Sequence, residues 1–413
     1  MGRGKTSWAI QEMKNNSQKR YIYITPYCDE ITRVINQCNC ISFKEPKKNK
    51  ADRGTKFNHL KSLLKRRENI ATTHALFKFA NCEIKNLIEQ GNYTLIMDEV
   101  CEVVSKYSGL TNKDFDLLLK NNNIYVDNKG FVCWNEDKLD YEGKFDVIKT
   151  MCLNRNLIVY GKNKNMLIWN FPCEILNAFE DVFILTYIFE GQLQKYYFQL
   201  NNIRYEYYNV FKNKDRYYIA PMTDNKEDLE FIRNAKKMTN IHQGRLNNIG
   251  TPYKGNNPLC KNWYKKAKPE QLELLKKNIY NYYTNIVNGK TDNILWTTFK
   301  DYRFKVRGKG FYKDESFLAC NTRATNKFKH TYNLVYAINF FPDTVIINYF
   351  KQNGIEVNVD AISITSMLQW IWRSRIREGL PINIYIPSQR MRNLFNNWLD
   401  EKLFIYVLGK IAS

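Results

Sequence analysis

Short apolar runs rich in β-branched and aromatic residues recur along the first half of the chain, separated by polar or helically spaced stretches. Runs of this kind, bounded by turn residues, are typical of buried strands. The predicted strands are residues 19–25, 69–77, 93–100 and 182–189, and helices are predicted at 29–38 and 57–64. Strands that alternate with helices predict an α/β domain built on a parallel sheet.

The second half repeats this pattern after a less regular stretch. Residues 293–299, 316–320 and 382–386 are predicted strands, whereas 269–287 and 364–372 have helical spacing. Residues 240–265 predict a long loop because they are rich in Asn, Gly and Pro, and the Tyr-rich stretch 196–210 favours a strand. We therefore predict a first α/β domain at 1–190, a connecting loop and helix region at 191–290, and a second α/β domain at 291–413.

Composition indicates the kind of protein and partner. Hydrophobic residues make up 44% of the 413, which argues for folded domains. Lys and Arg number 63 against 41 Asp and Glu, and the net charge of +22 suits a polyanion such as nucleic acid. A generally basic proteome is the alternative explanation.

The ten cysteines form no pair of CxxC motifs, so we expect free thiols and no zinc site. No signal peptide and no long apolar run is present, so we expect a soluble intracellular protein.

The first residues, MGRGKTSWAI, contain the core of a phosphate-binding loop. Gly2 and Gly4 let backbone N–H groups face an anion without a Cβ in the way, and Lys5 supplies a point charge for phosphates. Thr6 offers a hydroxyl to Mg²⁺, and the helix that follows directs its amino end at the phosphates. The candidate nucleotide-contacting residues are Gly2, Arg3, Gly4, Lys5, Thr6 and Ser7.

This loop pattern is incomplete. The full pattern is G-x-x-x-x-G-K-[ST], and the sequence contains neither its first Gly nor the strand that usually precedes it. We expect either a truncated chain or an ATPase that begins in an unusual place. From these residues alone, a Gly- and Lys-rich terminus without function explains the pattern equally well.

An acidic pair, Asp98 and Glu99, ends the predicted strand 93–100 (YTLIMDEV). Two adjacent carboxylates at the end of a buried strand are costly unless a positive charge accompanies them, and Mg²⁺ on bound phosphates would supply one. Asp98 would then hold the metal, and Glu99 would polarise the attacking water. The spacing of about ninety residues from Lys5, with strand and helix units between, favours this interpretation over coincidence.

Polar turns that follow predicted strands are candidates for contact with a nucleic-acid backbone. They are the Thr-Pro step after 19–25, the Thr-Thr-His sequence within 69–77, and the turn 321–326 after 316–320. An ordinary structural turn is the alternative for each of them. The candidate residues are Thr25, Pro26, Thr72, Thr73, His74, Arg323 and Thr325.

The apolar helix predicted at 364–372 carries one amide, Gln369, and a cluster of arginines follows it. Gln369 and Arg373 are four residues apart, so on a continuous helix they share a face that Arg377 also joins, whereas Arg375 points elsewhere. The planar guanidinium of arginine suits a γ-phosphate because it binds bidentately and stays charged. A basic helix end favoured by the helix dipole is the alternative.

Together these stretches resemble the motifs of superfamily 2 helicases, the DEAD/DEAH-box-like group, and are similar to those of helicases from tailed bacteriophages. GRGKTSWAI is similar to motif I, ITPY to motif Ia, TTHALF to motif Ib and LIMDEV to motif II. The stretch ending TYIF resembles motif III in position, ILWTTFK motif IV, NTRATN motif V and QWIWRSRIR motif VI. The resemblance implies an α/β fold of two RecA-like P-loop NTPase domains, with ATP and Mg²⁺ between them and nucleic acid across both.

The same resemblance implies roles for individual residues. The phosphate loop and the acidic pair bind and hydrolyse ATP, Thr298 in the motif IV stretch contacts nucleic acid, and Gln369 reaches ATP from the second domain. Motif VI departs from its usual form Q-x-x-G-R-x-x-R, because Trp372 replaces the Gly and the last arginine falls one place later. This favours Arg373 as the arginine finger and leaves Arg375 and Arg377 as alternatives for the second role.

The function that the sequence predicts is an ATP-dependent helicase or translocase, phage-encoded, acting on DNA rather than RNA in the cytoplasm of the bacterial host. Phage replication proteins are further expected partners. Two alternatives remain open. One is another nucleic-acid motor such as a packaging ATPase, although the second half lacks the acidic cluster of a nuclease. The other is a basic nucleic-acid-binding protein with an incomplete ATPase site.

Overall fold

The computed structural model describes residues 4–48, 54–161, 166–222, 226–308, 310, 312–322 and 327–402. These residues form two compact units. The amino-terminal unit contains the described part of 3–221 together with 343–357, and the carboxy-terminal unit contains the described parts of 222–342 and 358–413. No helix in the described part of the chain is long and apolar enough to cross a membrane.

The amino-terminal unit is built on a five-stranded sheet in which every neighbouring pair is parallel. Its strands are β1 (Arg20–Thr25), β2 (Phe43–Lys44), β3 (Asn69–Thr73), β4 (Tyr93–Asp98) and β10 (Asp181–Leu185), in the order β10-β4-β1-β3-β2. Thr25 pairs with Thr73, and Leu185 pairs with Asp98. Because the strands run in the same direction, the residues that end β1, β3, β4 and β10 meet at one carboxyl edge of the sheet.

Helices cover this sheet. They are α1 (Lys5–Asn15), α2 (Cys28–Gln37), α3 (Lys56–Lys65), α4 (His74–Phe77), α5 (Cys82–Gly91) and α8 (Leu193–Leu200). Helix α1 buries Trp8 and Met13, and α2 buries Ile31 and Val34, in one core with the sheet. Each large apolar side chain buried in this way contributes about 1.5–3 kcal/mol. Helix α1 is therefore fixed on the sheet by its apolar face.

A small region with its own core is inserted between β4 and β10. It contains β5 (Val104–Tyr107), α6 (Asn112–Lys120), β6 (Ile124–Val126), β7 (Val132–Trp134), α7 (Asp146–Leu153), β8 (Leu157–Tyr160) and β9 (Met166–Asn170). Strands β5, β9 and β8 form an antiparallel sheet, and β6 pairs with β7. Trp134, Ile148 and Leu157 are buried together. The insertion separates β4 from its sheet neighbour β10 in sequence, although the two strands pair directly.

Two further elements complete the amino-terminal unit. An antiparallel hairpin consists of β11 (Tyr208–Asn213) and β12 (Arg216–Pro221). Helix α13 (Thr344–Gln352) comes from much later in the chain. Its Tyr349 ring packs edge-on against Tyr160 with centroids 6.0 Å apart, and Phe350 packs 6.1 Å from Tyr196. The amino-terminal unit is thus assembled from segments that are distant in sequence.

The carboxy-terminal unit has a four-stranded sheet whose described pairs are all parallel. Its strands are β13 (Thr239–Ile241), β14 (Ile294–Thr297), β15 (Asn333–Tyr336) and β16 (Ile382–Tyr385), in the order β13-β16-β15-β14. The helices are α9 (Lys226–Lys237), α10 (Lys261–Lys266), α11 (Pro269–Asn281), α12 (Arg303–Val306), α14 (Val359–Ile371) and α15 (Gln389–Leu399). The predicted fold class, α/β with two parallel sheets flanked by helices, is confirmed. The three-part division at residues 190 and 290 stays a prediction.

Several predicted elements differ from the structure. The Tyr-rich stretch 196–210 starts within helix α8, since Tyr196 and Tyr197 bury their rings there instead of alternating across a strand. Residues 316–320 form no strand beyond a single bridge between Phe317 and Trp296. The predicted strand 69–77 stops at Thr73, whose hydroxyl accepts a hydrogen bond from Leu76 N at 3.3 Å and so starts α4. The predicted loop 240–265 contains part of β13 and most of α10.

Candidate functional site

The amino end of helix α1 lies where the sequence predicts phosphate binding. Gly4, the residue before the helix, has φ +78°, a left-handed conformation that glycine adopts without a steric penalty. Its carbonyl accepts the first helical hydrogen bond, from Trp8 N at 2.8 Å. Gly4 has no side chain that could cap α1, whereas the Thr55 side chain caps α3. The first-turn N–H groups of a helix point out of its amino end, so this end can face an anion. Gly2 and Arg3 lie outside the described residues.

The hydroxyl of Thr6 donates a hydrogen bond to Asp98 Oδ1 at 3.3 Å, joining residues 92 positions apart in sequence. Asp98 is the last residue of β4, and Thr6 is in the first turn of α1. The packing of Trp8 against Phe183 of β10, with ring centroids 5.3 Å apart, holds α1 beside the same strands. The sheet therefore brings Thr6 of the predicted phosphate loop into contact with the first carboxylate of the acidic pair.

The Asp98 carboxyl is 9% exposed, and its environment disfavours a negative charge. Burial raises the pKa of Asp98 to about 6, and repulsion from the Glu99 and Glu30 carboxylates adds to the rise. Tyr23 and Lys5 act in the opposite direction. A nearby cation would stabilise the charged form of this carboxylate and so offset the rise in its pKa.

Glu99 leaves the strand in an unusual conformation. Its φ is +67°, in the left-handed region that non-glycine residues seldom occupy. Its backbone N–H donates to Leu185 O at 3.2 Å, and its carboxylate accepts a hydrogen bond from the Thr186 hydroxyl at 3.4 Å. The left-handed backbone turns this half-buried side chain out of the strand register and towards the end of β10. Strain of this kind, about 1–3 kcal/mol, persists where the surrounding structure enforces it.

These residues fit a nucleoside triphosphate with Mg²⁺. An uncapped helix amino end, a lysine, a hydroxyl and a buried carboxylate provide hydrogen-bond donors and positive charge for phosphates and two oxygens for the metal. The described residues contain no group of three or more His, Cys, Asp or Glu side chains that could hold a metal alone. Phosphate oxygens and water would therefore have to complete the coordination of Mg²⁺, which is how that ion is usually bound in such sites.

The burial of several side chains contradicts the nucleic-acid contacts that were predicted for them. Thr25 and Thr298 are 0% exposed and Thr72 is 2% exposed, so their hydroxyls cannot reach a nucleic acid in this conformation. The Thr73 hydroxyl already caps α4. Pro26 and His74 are partly exposed and remain candidates. Arg323 and Thr325 lie outside the described residues.

The predicted single helix face for Gln369, Arg373 and Arg377 is wrong. Helix α14 ends at Ile371, and the ring of Trp372, the C-cap residue, packs against Phe231 and Trp398. Arg373 is half-buried just beyond the helix, and Arg377 is exposed on a separate 3₁₀ turn. Gln369 stays on α14, and its Nε2 atom is buried without a hydrogen-bond partner among the described residues.

The side chain and backbone of Arg375 make contacts within the carboxy-terminal unit. Its guanidinium lies 3.9 Å from the centroid of the Tyr332 ring, and its Nε donates to Pro381 O at 2.5 Å. Its backbone N–H donates to Thr331 O at 3.0 Å. Of the two arginines left as alternatives, Arg375 is therefore engaged within its own unit, and Arg377 is the more accessible.

A cavity of about 600 Å³ lies in the carboxy-terminal unit. Its walls come from β13, the π-helical turn after α11 and β16. The lining residues are Asn240, Ile241, His242, Gln243, Tyr282, Ile286, Val287, Asn288 and Asn383. None of them is among the predicted site residues.

Two residues near the acidic pair and the phosphate loop were missed as site residues. Thr186 falls within the predicted strand 182–189 and the stretch that resembles motif III in position, and its hydroxyl is the signal that could have identified it. Tyr217 of β12 packs against Gly4, and nothing in the sequence around either residue signals that contact.

The amino-terminal sheet, with phosphate-loop residues and an acidic pair at its carboxyl edge, defines an α/β protein with its candidate site where parallel sheets usually bind ligands. The chain is 42% identical over 413 residues to the SPbeta prophage-derived uncharacterized protein YonV of Bacillus subtilis strain 168, and the match covers 97% of each. The chain belongs to the YonV family. The family model for the YonV C-terminal Rossmann-like domain matches residues 233–399, and that for the YonV middle domain matches 104–169, the inserted region.

Similar solved structures include helicases. One described as an XPD helicase is 10% identical, with 98% of this chain and 94% of that chain covered and a TM-score of 0.48. Xpd4 from S. tokodaii is 12% identical, with 95% and 91% covered and a TM-score of 0.45. The DUF1998 helicase MrfA bound to DNA and AMPPNP is 10% identical, with 98% and 47% covered and a TM-score of 0.33.

Proposed function

We propose that this protein is an ATP-dependent nucleic-acid helicase or translocase of the superfamily 2 type. The observation that carries the proposal is the hydrogen bond from Thr6 to Asp98 beside the uncapped amino end of α1. A chance Gly- and Lys-rich terminus has no reason to meet a buried strand-end carboxylate 92 residues away. The motif resemblance along both units supports the same conclusion.

Each residue of the amino-terminal unit has a specific task in this proposal. Lys5 and the first-turn N–H groups of α1 hold the phosphates, while Thr6 and Asp98 hold Mg²⁺. Bound ATP with Mg²⁺ supplies the phosphoanhydride bond that is hydrolysed. Glu99 orients the attacking water and accepts its proton. The hydrogen bond from Thr186 keeps the Glu99 carboxylate turned towards the site and out of the strand.

The carboxy-terminal unit supplies the second set of residues in this proposal. Arg373 neutralises charge that develops on the transferred phosphoryl group, and Arg377 and Gln369 assist it. Arg377 is favoured over Arg375 because it is the more exposed of the two.

Nucleic acid is the proposed partner because the net charge is +22. DNA is favoured over RNA because the YonV relative is prophage-derived, and a phage origin for this chain is part of the proposal. The host cytoplasm is the corresponding location, with phage replication proteins as further partners.

The test is steady-state ATP hydrolysis with and without single-stranded DNA. The wild type should hydrolyse ATP faster when DNA is present, and Lys5→Ala should abolish the activity because the phosphates lose their point charge. Lys14→Ala is the matched control, since Lys14 is exposed in the last turn of the same helix and should leave hydrolysis unchanged. Displacement of a short duplex then separates a helicase from a translocase.

A wild type that binds DNA but hydrolyses no ATP would favour the alternative of a non-hydrolysing basic binding protein. Hydrolysis by Lys5→Ala at the wild-type rate would show that the phosphate loop is wrongly assigned. Either result contradicts the proposal.

A further inference from the structure

The β11–β12 hairpin is fastened to helix α1 by polar and apolar contacts. The Gln11 side chain pairs with the backbone of Tyr217 in both directions: its Nε2 donates to Tyr217 O at 2.6 Å, and its Oε1 accepts from Tyr217 N at 2.8 Å. These residues are 206 positions apart. Val210, Ile219 and Tyr217 itself pack against the core that contains Trp8. The hairpin thus has a defined position beside the phosphate loop.

This fastening puts the Tyr217 ring directly against Gly4. A Cβ added to Gly4 would overlap the ring carbons Cε1 and Cδ1 of Tyr217, so the two residues are in van der Waals contact. Gly4 is the residue before the first turn of α1, where the phosphates are proposed to bind. The ring is only partly buried. It therefore forms a wall next to the proposed nucleotide site, with some of its surface still accessible.

The chemistry of the ring indicates which part of a nucleotide it contacts. The face of an aromatic ring carries partial negative charge and disfavours contact with phosphate, but it stacks well on a base or sugar. The phosphates have better partners in Lys5 and the helix amino end. The neighbouring amide of Gln11 is engaged with the hairpin backbone, so it is poorly placed to recognise the edge of a base.

We propose that Tyr217 contacts the nucleoside portion of a nucleoside triphosphate bound at the amino end of α1, adding affinity that depends little on the identity of the base. This inference rests on the proposed function, because it needs the phosphates at that helix end. Stacking is tolerant of sequence because every base has an aromatic face. Purine and pyrimidine triphosphates should therefore share the contribution of Tyr217.

Calorimetric titration of the full chain with ATP, CTP and inorganic tripolyphosphate, each with Mg²⁺, tests the proposal. Tyr217→Ala should weaken ATP and CTP binding by about tenfold, within the range for loss of one base-stacking ring. Tripolyphosphate affinity should stay at the wild-type value, because the phosphate contacts are intact. Tyr217→Phe should behave as the wild type, since it keeps the ring and the fold.

The matched control is Tyr218→Ala. Tyr218 is the next residue on β12, is 49% exposed and stacks on Phe211 at 5.2 Å, so its loss should leave all three affinities unchanged. Equal weakening of ATP and tripolyphosphate by Tyr217→Ala would mean that the ring only supports the loop, and tighter binding of both would mean that it blocks the site. Either result overturns the inference, and so does unchanged ATP affinity.

Failure of the inference is distinguishable from failure of the proposed function. If the wild type binds tripolyphosphate and Lys5→Ala does not, the phosphate site stands whatever Tyr217 does. If the wild type binds neither ATP nor tripolyphosphate, the proposed function fails and the inference fails with it.

Discussion

At the scale of single residues, Asp98 links the chemistry of the site to the stability of the fold. Its pKa is about 6 in the folded protein, raised chiefly by burial, against an ordinary value of 3.8. Where the folded pKa of an acid is raised, the folded state binds the proton more tightly than the unfolded state. The contribution of Asp98 to stability is therefore favourable at low pH and is lost as the pH rises through 6.

We predict that Asp98→Asn stabilises the metal-free protein at pH 8, on the order of 2 kcal/mol, because the uncharged amide removes the cost of the buried carboxylate. The difference from the wild type should shrink as the pH falls from 6 to 4. Thermal unfolding midpoints at a series of pH values would measure it. Mg²⁺ with nucleotide should then stabilise the wild type more than the variant, since the variant lacks a metal ligand.

Asp400→Asn is a control with the opposite sign. The pKa of Asp400 is lowered by its hydrogen bond from Lys236 Nζ at 2.8 Å, so its removal should lower stability at pH 8 and have less effect at low pH. A variant Asp98→Asn that is less stable than the wild type at pH 8 would mean that the carboxylate is already compensated in the free protein.

At the scale of elements, the end of α14 at Ile371 leaves the arginines that follow it in different surroundings. We predict that Arg373→Ala lowers ATP hydrolysis by roughly 10³-fold or more while leaving nucleotide affinity largely intact, as for loss of an arginine finger. Arg373→Lys should restore little activity, because an ammonium group cannot reproduce the planar fork. Hydrolysis with saturating DNA and nucleotide affinity, measured side by side, would test this.

Arg375→Ala is the matched variant from the same segment. It removes the stacking on Tyr332 and the hydrogen bond to Pro381 O, so it should lower the unfolding midpoint of the carboxy-terminal unit without a comparable loss of turnover per folded molecule. Full inactivation by Arg375→Ala, with Arg373→Ala active, would mean that the motif VI alignment is shifted.

The sequence predicted those elements whose signals are local. The run YTLIMD is apolar enough to identify β4, and the carboxylate of its last residue marks the carboxyl end of that strand. Helix α14 ends just before Trp372, whose ring packs against Phe231 and Trp398, two contacts that only the tertiary structure shows. The buried hydroxyls of Thr25 and Thr298 show the same limit, since a polar residue at a strand end looks alike in sequence whether it faces solvent or the core.

Contacts between distant segments could not be predicted for the same reason. Tyr217 meets Gly4 because Gln11 holds the hairpin, and α13 joins the amino-terminal unit through Tyr349 and Phe350 although it follows three strands of the other sheet in sequence. Neither contact leaves a periodic pattern in its own segment. Hydrophobic spacing shows which face of an element is buried, but not which other element covers that face.

At the scale of the whole molecule, the net charge of +22 makes the partner testable without any assumption about individual contacts. A protein that neutralises several backbone phosphates releases their counterions, so its affinity falls steeply as salt increases. We predict that affinity for a single-stranded DNA oligonucleotide falls by about 10³-fold between 50 and 200 mM salt, the loss for roughly seven phosphate contacts to a single strand. Fluorescence anisotropy at a series of salt concentrations measures the slope.

The slope should be the same for Lys5→Ala, since Lys5 is proposed to face the nucleotide and not the DNA backbone. A flat titration for the wild type would mean that the positive charge is spread over the surface without forming a nucleic-acid site. That result would contradict the proposed nucleic-acid partner, but it would not bear on the proposed ATPase site.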